Sequence, residues 1–348
     1  MNTESKIAIH SLTRQELVDW CANAGEPRFR APQIWNWLYV ERVGDWSRMT
    51  NLPAELRRKL ADAFRLGTVT RLEAMGEPGT TQKMLLRLAD NETIETVLIP
   101  ARGRLTVCLS TQLGCKYSCA FCASGQSGYR RNLDAAEMIE QLLLAADTCG
   151  KPPTHVVFMG IGEPLDNYEQ VLKAIRILND EEGLRIGARR ITISTCGIIP
   201  GINRLADEGL QLELSVSLHA PDNALRTSLM PVNRRYPITE LLKACDAYAH
   251  KTGRIITFEY AMIRGVNDSR EHASKLAALL RPLPCRVNLI PLSPVAEFSG
   301  APSGAEACAL FANILERAGI NATLRKSRGV PLHAACGQLR ANRSAVSA

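Results

Sequence analysis

Gly114-Cys115-Lys116-Tyr117-Ser118-Cys119-Ala120-Phe121-Cys122 spaces three cysteines as Cys-x3-Cys-x2-Cys, directly after the β-type run RLTVCLS at 104–110. The next cysteine is Cys149 and the next histidine His155, so no fourth ligand lies close by. A cubane iron–sulfur cluster takes one thiolate per iron, and three leave one iron open to a substrate or cofactor. A structural zinc site wants four closed ligands, often as two Cys-x2-Cys pairs. A redox pair, Cys119 and Cys122, leaves Cys115 without a role. Spacing favours the cluster, and the zinc and redox readings stay open at this point.

The fold follows from what surrounds this loop. From residue 104 onward strand-like and helix-like runs alternate. Strands are expected at 104–110, 155–159, 190–195, 212–218, 255–262 and 286–292, with helices at 134–147, 168–179, 238–250, 271–281 and 304–318. Six β-α units predict an α/β fold: a parallel sheet with right-handed crossovers, closed into a barrel or partial barrel. A flat doubly wound sheet is the alternative, but the loop after the first strand carries cysteines where a dinucleotide fold carries G-x-G-x-x-G. Barrel chemistry sits at the C-terminal ends of the strands. There the sequence places Gly160-Ile161-Gly162-Glu163-Pro164, Ser194-Thr195-Cys196-Gly197 and Ser217-Leu218-His219-Ala220. Glycines let a ligand approach the backbone, and a carboxylate such as Glu163 can hold an ammonium group. His219 alone reads as a structural histidine; alignment with the other strand ends makes it a site residue.

The first hundred residues have a different grain. Ser11-Leu12-Thr13-Arg14-Gln15-Glu16 reads as a capped helix entry, and 31–40 and 53–64 are periodic with Pro near their starts. The expected organisation is a helical domain at 1–67, a β-hairpin linker at 68–103 around the 76–79 Gly-Glu-Pro-Gly turn, a barrel at 104–320 and a C-terminal segment at 321–348. The 348 residues are 46% hydrophobic and 22% charged, as in an ordinary globular protein. No apolar run reaches membrane-spanning length and the start is not a secretory signal. Eleven cysteines, an odd number, do not form an extracellular disulfide framework, so a reducing cytoplasmic location is expected. A net charge of +7 permits an acidic partner such as RNA without establishing one.

Near the end, Arg325-Lys326-Ser327-Arg328-Gly329 leads into Ala334-Ala335-Cys336-Gly337-Gln338-Leu339, a basic, glycine-bearing stretch that delivers one thiol. A second thiol, Cys108, precedes the cysteine loop. These segments together resemble the RlmN/Cfr family of radical S-adenosylmethionine (SAM) RNA methyltransferases. The likeness runs through IETVLIP (94–100), VCLSTQLGCKYSCAFCASGQSGYRRNL (107–133), FMGIGEPLDN (158–167), SVSLHAPDNALRTSLMPVNRRYPI (215–238), YAMIRGVNDS (260–269), NLIPLSP (288–294) and the AACGQL motif. The pairing of Cys108 with Cys336 is far more specific than the three-cysteine loop, which a vast superfamily shares.

The resemblance implies a partial (β/α)6 barrel with a small N-terminal RNA-binding domain. It implies one [4Fe-4S] cluster on Cys115, Cys119 and Cys122, and two SAM molecules per turnover. SAM would be held by Gly162, Glu163, Ser194, Ser217, Leu218, His219 and Ser293, the last standing where the family usually has Asn, with shorter reach and one fewer donor. Gly125 stands where the family often has Ala. Cys336 would carry a methyl group as S-methylcysteine, Glu95 would accept a proton, and Cys108 would resolve a protein–RNA cross-link, leaving a Cys108–Cys336 disulfide. The implied substrate is an adenosine of 23S rRNA, methylated at carbon 2, with the adenosine 3′ of the anticodon in tRNA a substrate of some members. Arg130, Arg131, Arg325, Lys326 and Arg328 are candidate RNA contacts. A flavodoxin or ferredoxin would supply electrons to a monomer. The competing functions are the sister methylation at carbon 8, a radical enzyme with a non-RNA substrate, and a non-catalytic iron–sulfur or zinc RNA-binding protein.

Overall fold

The computed structural model describes residues 6–325 and 329–341. Strand β1 (Ile7–Ala8) precedes three helices, α1 (Arg14–Asn23), α2 (Arg30–Tyr39) and α3 (Ala54–Ala63), and pairs in parallel with β2 (Phe64–Arg65), so both ends of the small domain meet. Thr13 starts α1 through a reciprocal capping box with Glu16. The apolar stripes of α1 and α2 bury Leu17, Ile34, Trp35 and Leu38 in one core.

The next segment corrects the expected linker. Strands β3 (Thr70–Met75), β4 (Gln82–Arg87) and β5 (Thr93–Ala101) form an antiparallel meander that continues the main sheet. Strand β6 (Arg104–Cys108) pairs antiparallel with β5 on one side and parallel with β9 (His155–Phe158) on the other. Between β6 and β9 lie the short hairpin β7 (Gln112–Gly114) and β8 (Tyr129–Asn132), helix α4 (Ala123–Gln126) and helix α5 (Ala135–Cys149). The remaining units follow the expected alternation: α6 (Tyr168–Asn179), β10 (Ile191–Thr195), α7 (Ile199–Asp207), β11 (Glu213–Ser217), α8 (Asn223–Leu229), α9 (Ile238–Thr252), β12 (Ile256–Met262), α10 (Arg270–Leu280), β13 (Cys285–Pro291) and α11 (Ala305–Arg317). A seventh parallel strand, β14 (Asn321–Leu324), was not anticipated; Asn-Ala-Thr-Leu alternates but is only four residues long, which gives it little strand signature.

The sheet order is β14-β13-β12-β11-β10-β9-β6-β5-β4-β3, so the parallel strands curve without closing and the barrel is partial. Alternation along each strand sorts the residues. Ile191, Ile193, Leu214, Val216, Ile256, Phe258, Val287 and Leu289 are fully buried in the apolar core. Their neighbours Thr192, Ser215, Thr257 and Asn288 line an internal cavity.

Glu140 of α5 docks the small domain. One oxygen lies 2.8 Å from His10 Nδ1; the other accepts the N–H groups of Thr68 at 2.6 Å and Val69 at 2.7 Å. Burial alone would push this carboxyl up, but His10 and the Thr68 donors outweigh it and hold the pKa below the ordinary value of 4.5. The native state therefore favours ionised Glu140, a contribution that is complete above the unfolded carboxylate range and is lost as pH falls through the lower folded value. Glu140→Gln is expected to destabilise by about 3 kcal/mol, since it leaves a buried cluster half-satisfied, and to flatten the acid limb of the stability–pH curve; urea titrations between about pH 3.5 and pH 7 measure both.

Candidate active site

The cysteine loop is built by a close crossing. Gly114 ends β7 at φ +75°, and a Cβ there would lie 1.5 Å from the Gly128 carbonyl oxygen, so only glycine lets β7 and β8 meet. Cys115 N–H then donates to that carbonyl at 3.1 Å, Cys122 N–H donates to Cys119 O at 3.1 Å, and Cys122 caps α4. The loop is held from two other sides: Ala120 N–H donates to Leu229 O at the end of α8, and Ala123 N–H donates to Gly337 O at 2.7 Å. At Gly125 a Cβ would meet Cys119 N at 3.0 Å, which gives the alanine that the family often has little room here.

All three thiols face one cavity of about 1000 Å³ at the C-terminal mouth of the barrel. Burial pushes Cys115 up to about 12 and Cys119 well above its ordinary value, with the neighbouring thiols adding to both. Three soft sulfur donors on one loop, with no fourth cysteine in that loop, fit three irons of a cubane.

The same cavity is lined by Gly160, Gly162, Glu163, Ser194, Ser217, His219 and Ser293, the expected strand-end set. Leu218 differs: its side chain is buried away from the cavity, and its N–H donates to Glu259 O at 3.0 Å. Gly162 has φ +105°, and a Cβ there would strike Gln112 Cβ at 2.6 Å. Glu163 is buried, its carboxylate accepting Leu165 N–H at 2.9 Å and Cys196 N–H at 2.7 Å. Burial pushes its carboxyl up, against the pull of those donors. A ligand ammonium would complete this site.

His219 sits at φ +58°, its carbonyl accepting Asn267 Nδ2 at 2.9 Å and its Nδ1 accepting Ala261 N–H at 2.8 Å. The proton therefore sits on Nε2. Burial, with the Arg226 charge second, pushes its pKa down to about 3, so the ring stays a neutral donor.

Cys336 belongs to this cavity and also to a second one, bounded by Val97, Ile99, Cys108, Val157, Leu324 and Leu339. Cys108 ends β6 in that second cavity, close enough for Cys336 to raise its cost of ionisation. Both are free thiols in this state, as are all eleven cysteines. Cys108 is pushed up to about 12, first by burial and then by Cys336. Cys336 is exposed at this junction; the surrounding protein still raises its thiol, with Arg325 pulling the other way.

Glu95 lines neither cavity. It is buried on the β5 face that carries Val97 and Ile99, with Lys83 Nζ at 2.8 Å and Arg340 N–H donating to its other oxygen at 2.9 Å. Arg130 and Arg131 are spent inside the molecule: Arg130 pairs with Glu92, while Arg131 meets Glu137 with both terminal nitrogens at 2.8 Å and Asp90 at 2.7 Å. They clamp β8 to the β4–β5 turn and α5, a structural role beside the RNA contact expected of them. Arg325 lines both cavities, 3.8 Å from Glu259, and Lys326 and Arg328 lie outside the described residues.

Three site neighbours escaped the sequence reading. Cys196 lines the cluster cavity. Glu259 is a buried carboxylate inside the apolar run IITFEYAM, and that placement was its signal. Arg226 is fully buried and donates to Cys196 O at 2.7 Å and Ser217 O at 3.1 Å, fixing two strand ends.

Three thiols on the loop after the first barrel strand, facing glycines and a buried carboxylate at neighbouring strand ends, define a radical SAM enzyme. The radical SAM superfamily model matches residues 109–277, and the model described as "Ribosomal RNA large subunit methyltransferase N-terminal domain" matches residues 7–66. The "Probable dual-specificity RNA methyltransferase RlmN" of Geobacillus thermodenitrificans is 46% identical over 96% of this chain and 93% of its own length, and that of Thermoanaerobacter sp. 46% over 95% and 97%. A solved radical SAM methyltransferase from Sphaerobacter thermophilus is 48% identical, covers 96% of this chain and 99% of its own, and superposes with a TM-score of 0.92. The chain belongs to the RlmN family of radical SAM RNA methyltransferases, whose cofactors are a [4Fe-4S] cluster and SAM. Among the described residues no helix is long and apolar enough to cross a membrane.

Two outcomes test the cofactor side. Glu163→Gln is expected to weaken SAM binding about tenfold to a hundredfold, by loss of the charge-assisted bond, at unchanged iron content; equilibrium dialysis with labelled SAM and iron assay check this. His219 is expected to show no protonation between about pH 8 and pH 4 in NMR of ring-labelled protein.

Proposed function

We propose that the enzyme methylates carbon 2 of an adenosine in 23S rRNA and of the adenosine 3′ of the anticodon in tRNA, using Cys336 as methyl carrier and Cys108 as resolving thiol. The observation that carries this is the position of Cys336, shared by the cluster cavity and the cavity that holds Cys108. A carrier must reach SAM to be methylated and reach the acceptor base to pass the methyl on, and one side chain at the junction meets both demands.

Carbon 2 of adenine lies between two ring nitrogens and is electron-poor, so it does not attack a sulfonium methyl as an amine would. When bound, the cluster and SAM supply a hydrogen-abstracting 5′-deoxyadenosyl radical. Cys336 first loses its proton and takes a methyl group from SAM, forming an S–CH3 bond as the S–CH3 bond of SAM breaks. Loss of a hydrogen atom from that methyl lets its carbon add to carbon 2, which ties RNA to Cys336. Release of one electron, for which the oxidised cluster would be the acceptor, and of the carbon-2 proton restores the ring. Cys108 then attacks the Cys336 sulfur; the S–C bond breaks, the new methyl carbon takes a proton, and a Cys108–Cys336 disulfide forms. A thiol reductant regenerates both cysteines. Glu95 serves as the carbon-2 base by releasing the Arg340 N–H, a movement that loosens the C-terminal segment. His219, Glu163, Ser194 and Ser217 orient SAM, with Ser293 taking the role of the usual asparagine at shorter reach. A low-potential donor such as flavodoxin or ferredoxin reduces the cluster, the protein works in the cytoplasm, and it acts as a monomer.

Mass spectrometry tests the reading. Enzyme made with SAM present is expected to carry one methyl on Cys336, and Cys108→Ala enzyme to accumulate a covalent RNA adduct at Cys336. Nucleoside analysis of treated rRNA and tRNA is expected to give 2-methyladenosine. Cluster-loaded enzyme with neither mark would overturn the mechanism, and 8-methyladenosine would overturn the regiochemistry.

A further inference from the structure

The barrel has a second opening, at the end opposite the cluster. Its cavity, about 1050 Å³, is lined inside by Thr192, Ser215, Thr257, Asn288 and Thr323. A closed (β/α)8 barrel fills this space with branched aliphatic side chains. Here the inward residues of β10 to β14 are polar, with Val157 and Met159 the apolar members of the lining, so the lumen suits water or a polar ligand. At the rim, where the strands begin, stand Arg104, Arg189, Arg190 and Arg286, with His155 beside them. Glu213 is the carboxylate at that rim, and it is already shared by Arg254 and by Arg286 at 2.9 Å. Arg189 and Arg190 are exposed on the turn before β10. The positive field registers on His155, which burial, Arg104 and Arg190 push below its ordinary value.

The lumen leads to the thiols. Val157, Met159 and Arg325 border both this cavity and the one that holds Cys108 and Cys336. At its inner end Glu259 is buried; one oxygen accepts Asn288 Nδ2 at 2.9 Å, and the other has no hydrogen-bond donor among the described residues. The small N-terminal domain stands at the same end. Trp35 Nε1 donates to Asp180 at 3.0 Å and Trp35 packs on Gly183, both on the α6–β10 connection that finishes with Arg189 and Arg190.

We infer that this lower opening is the RNA entrance: its arginines grip backbone phosphates while the target nucleotide, turned out of its stack, passes along the polar lumen toward Cys108 and Cys336. SAM and its products then use the upper, cluster side, and the two substrates never compete for one door. A base is unstacked before chemistry in enzymes of this kind, and phosphate contacts set register without reading sequence. The Glu259 oxygen that meets only Arg325, 3.8 Å away, is an acceptor for an amino group on the arriving base. This inference rests on the RNA-methylating reading above and adds the route.

The test removes charge at the rim. In cluster-loaded full-length enzyme, Arg189→Ala/Arg190→Ala is expected to raise KM for rRNA fragment or tRNA about tenfold. It should also make the dependence of log affinity on log salt shallower by ~0.7 for each phosphate no longer gripped, so ~1.4 for two. Arg189→Lys/Arg190→Lys should recover most of the affinity. Arg270→Ala/Arg317→Ala, the same loss of charge on the outer helices α10 and α11, should leave KM within about twofold. Unchanged KM and salt slope in the rim variant, or an equal loss in the outer-helix variant, would overturn the inference. Wild-type enzyme that neither cross-links nor methylates RNA would instead sink the functional reading, so the two failures are told apart.

Discussion

Everything at this site depends on how the C-terminal segment is pinned across the mouth of the barrel. Gly337 O accepts Ala123 N–H at 2.7 Å, Leu339 O accepts Ser124 Oγ at 2.7 Å, Gln338 Nε2 donates to Pro294 O at 2.8 Å, and Arg340 N–H donates to Glu95 at 2.9 Å. Gly337 makes this possible at φ +81°, where a Cβ would sit 3.2 Å from Phe121 O. Two of these bonds go to the first turn after Cys122, so the segment that bears Cys336 is fastened to the loop that bears Cys115, Cys119 and Cys122. At about 1 kcal/mol net for each bond, the segment is docked by a few kcal/mol. That is enough to fix Cys336 between the two cavities, and small enough for Glu95 to be released during a turnover.

The electrostatics of the site follow from burial without full pairing. Arg226 is completely buried, and its guanidinium donates to the neutral acceptors Cys196 O, Ser217 O, Tyr236 O and Asn233 Oδ1. An uncompensated buried cation is costly, so its persistence needs negative charge nearby. Cys119 and Cys196 are within its field, and it opposes the upward push that burial gives Cys119. The same charge helps to keep His219 neutral. One guanidinium thus favours thiolate at a cluster ligand and imidazole at a cofactor contact, while its hydrogen bonds tie the ends of β10 and β11 together.

Much of this was legible in the chain. Strand and helix alternation after residue 104 carries through because each strand obeys a two-residue period and each helix a wide apolar stripe. The cysteine loop, Glu163 and His219 announce themselves by standing at strand ends. The meander at 70–101 did not, because a hairpin and three added sheet strands have the same local pattern; what joins them to the barrel is the β5–β6 pairing, a long-range fact. The structural role of Arg130 and Arg131 was not legible either, because a charge pair shows its sign in sequence but not its partner. Asp90, Glu92 and Glu137 are that partner, brought close by folding. Leu218 was expected as a cofactor contact from the family resemblance; its side chain is buried, so what it offers the cavity is its backbone.

That alternation separates stability from function within each strand. Fully buried Ile191, Ile193, Leu214, Val216, Phe258, Val287 and Leu289 belong to the apolar core, where most of the folding free energy resides. The intervening Thr192, Ser194, Ser215, Ser217, Thr257, Glu259 and Asn288 point to the cavities and contribute little apolar burial. An open barrel can leave its inside polar because the outer face of the same strands carries the packing. The open edge of β14 is therefore a gain for the chemistry: the space that a closing strand would occupy is where the C-terminal segment returns and Cys336 shares a cavity with Cys108.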